Sequence, residues 1–181
     1  MNLENNNNIF QNKKIICLIG MMGVGKTTIG KKLAEKLDYY YFDSDNEISD
    51  YTKKSIADIF FEDGEGYFRK IEKDIIKKLI NREERMVISL GGGSVVSKKT
   101  RELLHKKSII IWLDADIDTI ISRTKNSIHR PKLEQSSNKR KFLIDLKKKR
   151  KELYAEASFK IVTNNDNYTK IIDNILQQIE R

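Results

Sequence analysis

The chain has 181 residues, enough for one domain with a full core. Its 35 Lys and Arg against 26 Asp and Glu give a formal charge of +9, but the cations are mostly lysines spread along the whole length, so no stripe marks a nucleic-acid surface. Cys17 is the only cysteine, which excludes an intrachain disulfide, and no stretch is long and apolar enough to span a membrane. Residues 1–12, with Asn5 to Asn8 in a row, lack the charged start and apolar core of a signal peptide and read as a disordered leader. A cytoplasmic, monomeric protein is the expectation.

From residue 13 to residue 181 the pattern is that of a single domain in which apolar runs alternate with helical periodicity. Strands are predicted at 14–19, 39–42, 86–90, 108–113 and 158–163, and helices near 26–37, 45–61, 65–81, 97–106, 116–124, 139–156 and 167–180. Alternation of this kind predicts an α/β fold of three α/β/α layers around a mostly parallel five-stranded sheet. Residues 125–138 contain the only proline, Pro131, and no core-forming pattern. A loop of that length within a compact domain reads as a lid.

The segment Gly20-Met21-Met22-Gly23-Val24-Gly25-Lys26-Thr27 fits the phosphate-loop pattern G-x-x-x-x-G-K-[ST], between an apolar strand and an amphipathic helix. Backbone N–H groups from Gly23, Val24, Gly25, Lys26, Thr27 and Thr28 can line a nest for phosphate oxygens at a helix N-terminus. Lys26 supplies a point charge for the β- and γ-phosphates, and Thr27 a hydroxyl for Mg²⁺. The segment predicts a nucleoside triphosphate site.

Parallel strands place their C-terminal ends, and so the ligand crevice, on one edge. Three clusters meet that condition. The phosphate loop follows the first strand, Asp43-Ser44-Asp45 the second, and Gly91-Gly92-Gly93 the third. Asp43 and Asp45 can face the same way, one supporting Mg²⁺ through water and the other orienting a substrate hydroxyl, or either can cap the next helix. The triple glycine lets a ligand approach the main chain.

Four arginines complete the set. Arg69 and Glu72 share a helix face, so Arg69 is either a bidentate holder of an acidic substrate or half of a surface ion pair. Arg150 falls among Phe142, Leu146, Leu153 and Tyr154 on an inward stripe and needs an anionic partner, either a structural carboxylate or a bound ligand. Its neighbours Lys147, Lys148, Lys149 and Lys151 read as a solvated helix face. Arg130, beside Pro131, can swing from the lid onto a transferring phosphoryl group. Arg123 can stack on a base or sit as a cation at a helix C-terminus. His105 and His129 have no metal-ligand spacing around them, and zinc is not expected.

Taken together, Gly20 to Thr28, Phe42 to Asp45, Ser55 to Phe60, Gly64 to Glu72, Gly91 to Gly93 and Arg130-Pro131-Lys132-Leu133 resemble shikimate kinase, over residues 14 to 163. The resemblance implies a P-loop fold like that of nucleoside monophosphate kinases, and transfer of the γ-phosphoryl group of ATP to the 3-hydroxyl of shikimate in aromatic amino-acid biosynthesis. It further implies that Asp45 contacts the reacting hydroxyl, that Asp43 supports Mg²⁺, and that Arg69 and Arg150 hold the shikimate carboxylate. Gly91 to Gly93 would contact substrate through the main chain, Arg130 would be the lid arginine and Arg123 the adenine-side arginine, with Phe60 and Phe68 as pocket walls. Two departures stand out: Lys132 between Pro131 and Leu133, and Thr163 to Asp166 without the Arg and Pro of an adenine site. The nearest rival is a gluconate kinase, whose acceptor also carries a carboxylate. A nucleotide-dependent switch is the rival from another class, and no N-K-x-D tetrapeptide for reading guanine is present.

Overall fold

The structure, a computed structural model, describes residues 13–125, 138–164 and 167–180. The leader, Asn165 and Asp166, and most of the expected lid, including His129, Arg130, Pro131, Lys132 and Leu133, lie outside the described residues.

Strand β1 (Ile15–Ile19) is buried at every position and has a strand on each side. Its five residues carry no alternation, as a strand covered on both faces requires. With β2 (Tyr40–Asp43), β3 (Met86–Ser89), β4 (Ser108–Asp114) and β5 (Phe159–Val162) it forms a sheet in the order β2-β3-β1-β4-β5. All four pairings are parallel, so the expected mostly parallel sheet is wholly so. Cys17 lies in the middle of this core, and burial pushes its thiol up to about 12, which makes it inert.

Parallel neighbours need crossovers, and the helices supply them. Helix α1 (Lys26–Leu37) buries Ile29, Leu33 and Ala34. Helices α2 (Ser44–Thr52) and α3 (Gly64–Ile80) join β2 to β3, and α3 packs through Phe68, Ile71, Ile75, Ile76 and Leu79. Helix α4 (Lys98–Lys107) leads to β4, while α5 (Ile117–Thr124) and α6 (Lys139–Ala155) lie between β4 and β5. Helix α7 (Tyr168–Ile179) follows β5. None of these helices, among the described residues, is long and apolar enough to cross a membrane.

The stretch predicted as one helix over 45–61 is broken in the structure. Helix α2 stops at Thr52 because Lys53 takes a left-handed conformation, φ 57°. Ser55 then caps a new turn by accepting from the Asp58 N–H at 3.1 Å, and the chain widens into a π-helical turn over Ile59–Asp63. Apolar periodicity runs through the break and hides it, while the cap at Ser55 marks the restart. The turn brings Phe60 to 4.7 Å from Phe68, ring centre to ring centre.

Candidate active site

The C-terminal ends of β1, β2 and β3 bring the three sequence clusters onto one edge, as the topology requires. The phosphate loop turns through Gly23 (φ 74°) and Gly25 (φ 95°), values that a side chain at Cβ would strain. Lys26 folds back over the loop and donates to the carbonyls of Gly20 and Met21, each at 3.0 Å. Ser89, at the end of β3, donates to the Lys26 carbonyl at 3.0 Å and ties the helix start to the sheet.

Asp43 caps a helix with one oxygen and reaches the phosphate loop with the other. One oxygen, Oδ1, caps helix α2 by accepting from the Asp45 N–H at 3.1 Å. The other, Oδ2, accepts from the Thr27 hydroxyl at 3.0 Å and from the Tyr41 phenol at 3.3 Å. Burial, with the Asp43 charge beside it, pushes the Tyr41 phenol up to about 12, so it stays a donor. Asp43 and Thr27 therefore meet where the two strands end.

Asp45 reaches the glycine loop instead. A methyl group at Gly91 would lie 2.6 Å from Asp45 Oδ1 and 3.1 Å from Glu72 Oε1. At Gly93 it would overlap the Arg69 guanidinium, and at Gly92 it would lie 3.2 Å from the Gly20 carbonyl oxygen. The three glycines thus make room for carboxylate, phosphate loop and guanidinium in turn. The Gly91 N–H donates to the buried Ser44 hydroxyl at 2.9 Å, which leaves Gly92 and Gly93 as the loop's candidate donors to a ligand.

Arg69 and Arg150 arrive at this loop from different helices. Arg69 pairs with Glu72 at 2.6 Å and with Glu65 at 3.3 Å. The pair is no surface bridge, since Glu72 is only 4% exposed. Burial raises the Glu72 pKa, the Asp45 charge adds to the rise, and Arg69 and Arg150 oppose it. Burial would lower the Arg69 pKa, but the two glutamates outweigh it and hold it above the ordinary value. Arg150 donates to the Gly92 carbonyl at 2.9 Å, and the structural carboxylate near it is the buried Glu72, whose pKa rise it opposes. Tyr154, one turn on, also donates to the Gly92 carbonyl, at 2.6 Å.

The basic run containing Arg150 divides by helix face. Lys147 pairs with Asp114 at 2.7 Å and Arg150 turns to the glycine loop, while Lys148, Lys149 and Lys151 are exposed. Arg123, in the last turn of α5, donates to the Thr163 carbonyl at 2.7 Å. Thr163 in turn donates its hydroxyl to the Val24 carbonyl at 2.8 Å. The segment that lacks the expected Arg and Pro is thus bonded directly to the phosphate loop.

The shikimate kinase family model matches residues 22–180, which include the candidate residues from Gly23 to Arg150. The chain belongs to the shikimate kinase family. It is 38% identical to the shikimate kinase of Persephonella marina over 164 residues, covering 91% of this chain and 98% of that one. The solved shikimate kinase of Acinetobacter baumannii in complex with shikimate superposes with a TM-score of 0.88 at 36% identity, covering 94% of each chain. The Aquifex aeolicus shikimate kinase gives a TM-score of 0.79 at 30% identity, over 92% of this chain and 96% of that one. As a member of this family the chain is a phosphotransferase with the P-loop kinase fold.

Four residues around the shikimate kinase site went unread in the sequence: Ser44, Ser89, Tyr154 and Thr163. Each supports a main-chain group of the phosphate loop or the glycine loop. Tyr154 alone gave a signal, as a polar-tipped aromatic one turn from Arg150 on a buried stripe.

Proposed function

We propose that this chain phosphorylates the 3-hydroxyl of shikimate with ATP, at the junction of the glycine loop and the phosphate loop. One observation carries the reading: Arg69 against Gly93 and Arg150 on Gly92 converge beside Asp45, with Gly92 against Gly20 of the phosphate loop. An acceptor with a carboxylate at one end and hydroxyls at the other spans that arrangement. Its carboxylate lies on the two guanidinium groups, and its reacting hydroxyl lies between Asp45 and the γ-phosphate.

In this reading the residues act by positioning and charge neutralisation. Asp45 orients the hydroxyl and accepts its proton as the oxygen bonds to the γ-phosphorus. The bond from that phosphorus to the bridging oxygen breaks, and ADP leaves. Lys26 exchanges the loop carbonyls for phosphate oxygens. Arg123 lies on the adenine side. Arg130 supplies positive charge to the transferring phosphoryl group in the transition state.

Mg²⁺ suits the oxygens of Thr27 and Asp43, a hydroxyl and a carboxylate that already lie 3.0 Å apart. An ion there would be held largely by phosphates and water, as Mg²⁺ at nucleotide sites commonly is. Bound there, the ion would neutralise charge on the β- and γ-phosphates. The same reading makes the enzyme a cytoplasmic monomer, where ATP is supplied.

Phosphorus NMR of the product from Mg-ATP and shikimate tests the regiochemistry. A single monoester on the 3-oxygen is the expected result, and an ester elsewhere on the ring would contradict the placement of Asp45.

A further inference from the structure

The glycine loop is held by its carbonyls. The Gly91 carbonyl accepts from the Ser94 N–H at 3.0 Å and from the Ser94 hydroxyl at 2.8 Å. The Gly92 carbonyl accepts from Arg150 and Tyr154, and the Gly93 carbonyl from the Val96 N–H at 3.1 Å. In a trans peptide the N–H points away from the carbonyl it follows, so anchoring the Gly91 and Gly92 carbonyls aims the N–H groups of Gly92 and Gly93 the opposite way.

A further anchor lies just beyond the loop. Arg101, on helix α4, donates through Nη1 to the Val95 carbonyl at 2.8 Å and through Nε to Glu156 at 2.8 Å. Val95 is buried, and Glu156 is the C-cap residue of α6, the helix that carries Arg150 and Tyr154. Helix α6 therefore grips this segment at two points, directly at Gly92 and through Arg101 at Val95. The Glu156 side chain is 42% exposed, so its charge pair with Arg101 adds little stability. What the guanidinium supplies is geometry, two N–H groups of one rigid plane set on two partners.

Resting on the reading of this site as the shikimate site, we propose that Arg101 is a positioning residue for acceptor binding, which acts through the Val95 carbonyl on the glycine loop. It sets where the N–H groups of Gly92 and Gly93 stand relative to the Arg150 guanidinium, and needs no contact with the acceptor itself. An acceptor that must meet the loop and the guanidinium together loses less on binding when their separation is already fixed. ATP is held by the phosphate loop in this reading, so its affinity does not depend on Arg101. The effect belongs to binding and not to the chemical step, so the KM for shikimate responds while kcat holds.

Steady-state kinetics of the full chain with each substrate varied in turn, beside direct titration of shikimate, tests this. Arg101→Gln is expected to raise the KM for shikimate about tenfold, with the KM for ATP and kcat kept. Arg101→Lys, which can bond the Val95 carbonyl but cannot hold both partners, is expected to recover part of the loss. Glu156→Ala is expected to weaken shikimate binding in the same direction by a smaller factor, which keeps the test open if Arg101→Gln fails to fold. Unchanged shikimate affinity in either Arg101→Gln or Glu156→Ala, or equal rises in KM for shikimate and ATP, overturns the proposal and leaves the site reading intact. No binding of shikimate to the unaltered chain overturns the site reading, and the proposal with it.

Discussion

Gly93 and Arg69 occupy adjoining space, so that a single methyl group on Gly93 would overlap the guanidinium. Gly93 has an ordinary negative φ of −102°, so glycine stands there for room and not for backbone freedom. Gly93→Ala is expected to push Arg69 aside and raise the KM for shikimate about tenfold, equivalent to ~1.4 kcal/mol, with ATP affinity unchanged. Steady-state kinetics with each substrate varied in turn checks this, and an unchanged KM for shikimate contradicts it.

Arg69→Ala is expected to weaken shikimate binding more than Arg69→Lys does, because a planar fork and a point charge differ at a carboxylate. Equal losses in the two variants, by direct titration of shikimate, would mean that the charge retained by lysine contributes nothing and would contradict the prediction.

Asp45 lies at the glycine loop, apart from the Asp43–Thr27 pair. Asp45→Asn is expected to retain ATP binding and lose about 10²- to 10⁴-fold in turnover, the usual range for a positioned general base. Equilibrium nucleotide titration beside single-turnover transfer separates the two effects, and near-normal transfer would remove Asp45 from the chemistry.

Thr163 ties β5 to the phosphate loop through the Val24 carbonyl and is buried. Thr163→Val strands that carbonyl and is expected to cost about 1–3 kcal/mol of stability while weakening ATP binding. Thr163→Ser keeps the hydroxyl and restores most of both. Urea unfolding and nucleotide titration of the two variants check this, and a larger loss in Thr163→Ser than in Thr163→Val would place the role in the methyl group.

Asp114 holds Lys147 and Lys160, each at 2.7 Å. Burial would raise its pKa, but the two lysines outweigh it and hold it below the ordinary 3.8. A depressed folded pKa contributes stability above the unfolded value that is lost as pH falls through the folded one. Asp114→Asn is therefore expected to be less stable at neutral pH, on the order of 1–3 kcal/mol, with the gap narrowing below pH ~3. A gap of equal size at both pH values, by denaturant unfolding, would mean that the lysine pairs contribute nothing.

Much of this was legible in the chain. Periodicity gave the five strands within two residues, because β1 and β4 are continuous apolar runs and the other strands end in turns. The phosphate loop, Asp43 and Asp45 follow strands, so a parallel topology alone carries them to one edge. The helix break at Lys53 was not legible, since apolar spacing continues across it. Nor were Ser44 and Thr163, whose roles depend on main-chain atoms 47 and 139 residues away. Arg150 was legible as a cation on a buried face, but its carbonyl partner was not, because a carbonyl has no sequence signature.

The central claim is that the glycine loop with its two arginines takes shikimate as acceptor. A coupled assay of ADP release with Mg-ATP, run in parallel with shikimate, with gluconate and with no acceptor, tests it most directly. ADP release that depends on shikimate is the predicted result. Release with gluconate alone, or equal release without any acceptor, would contradict the acceptor site while leaving the phosphate loop in place.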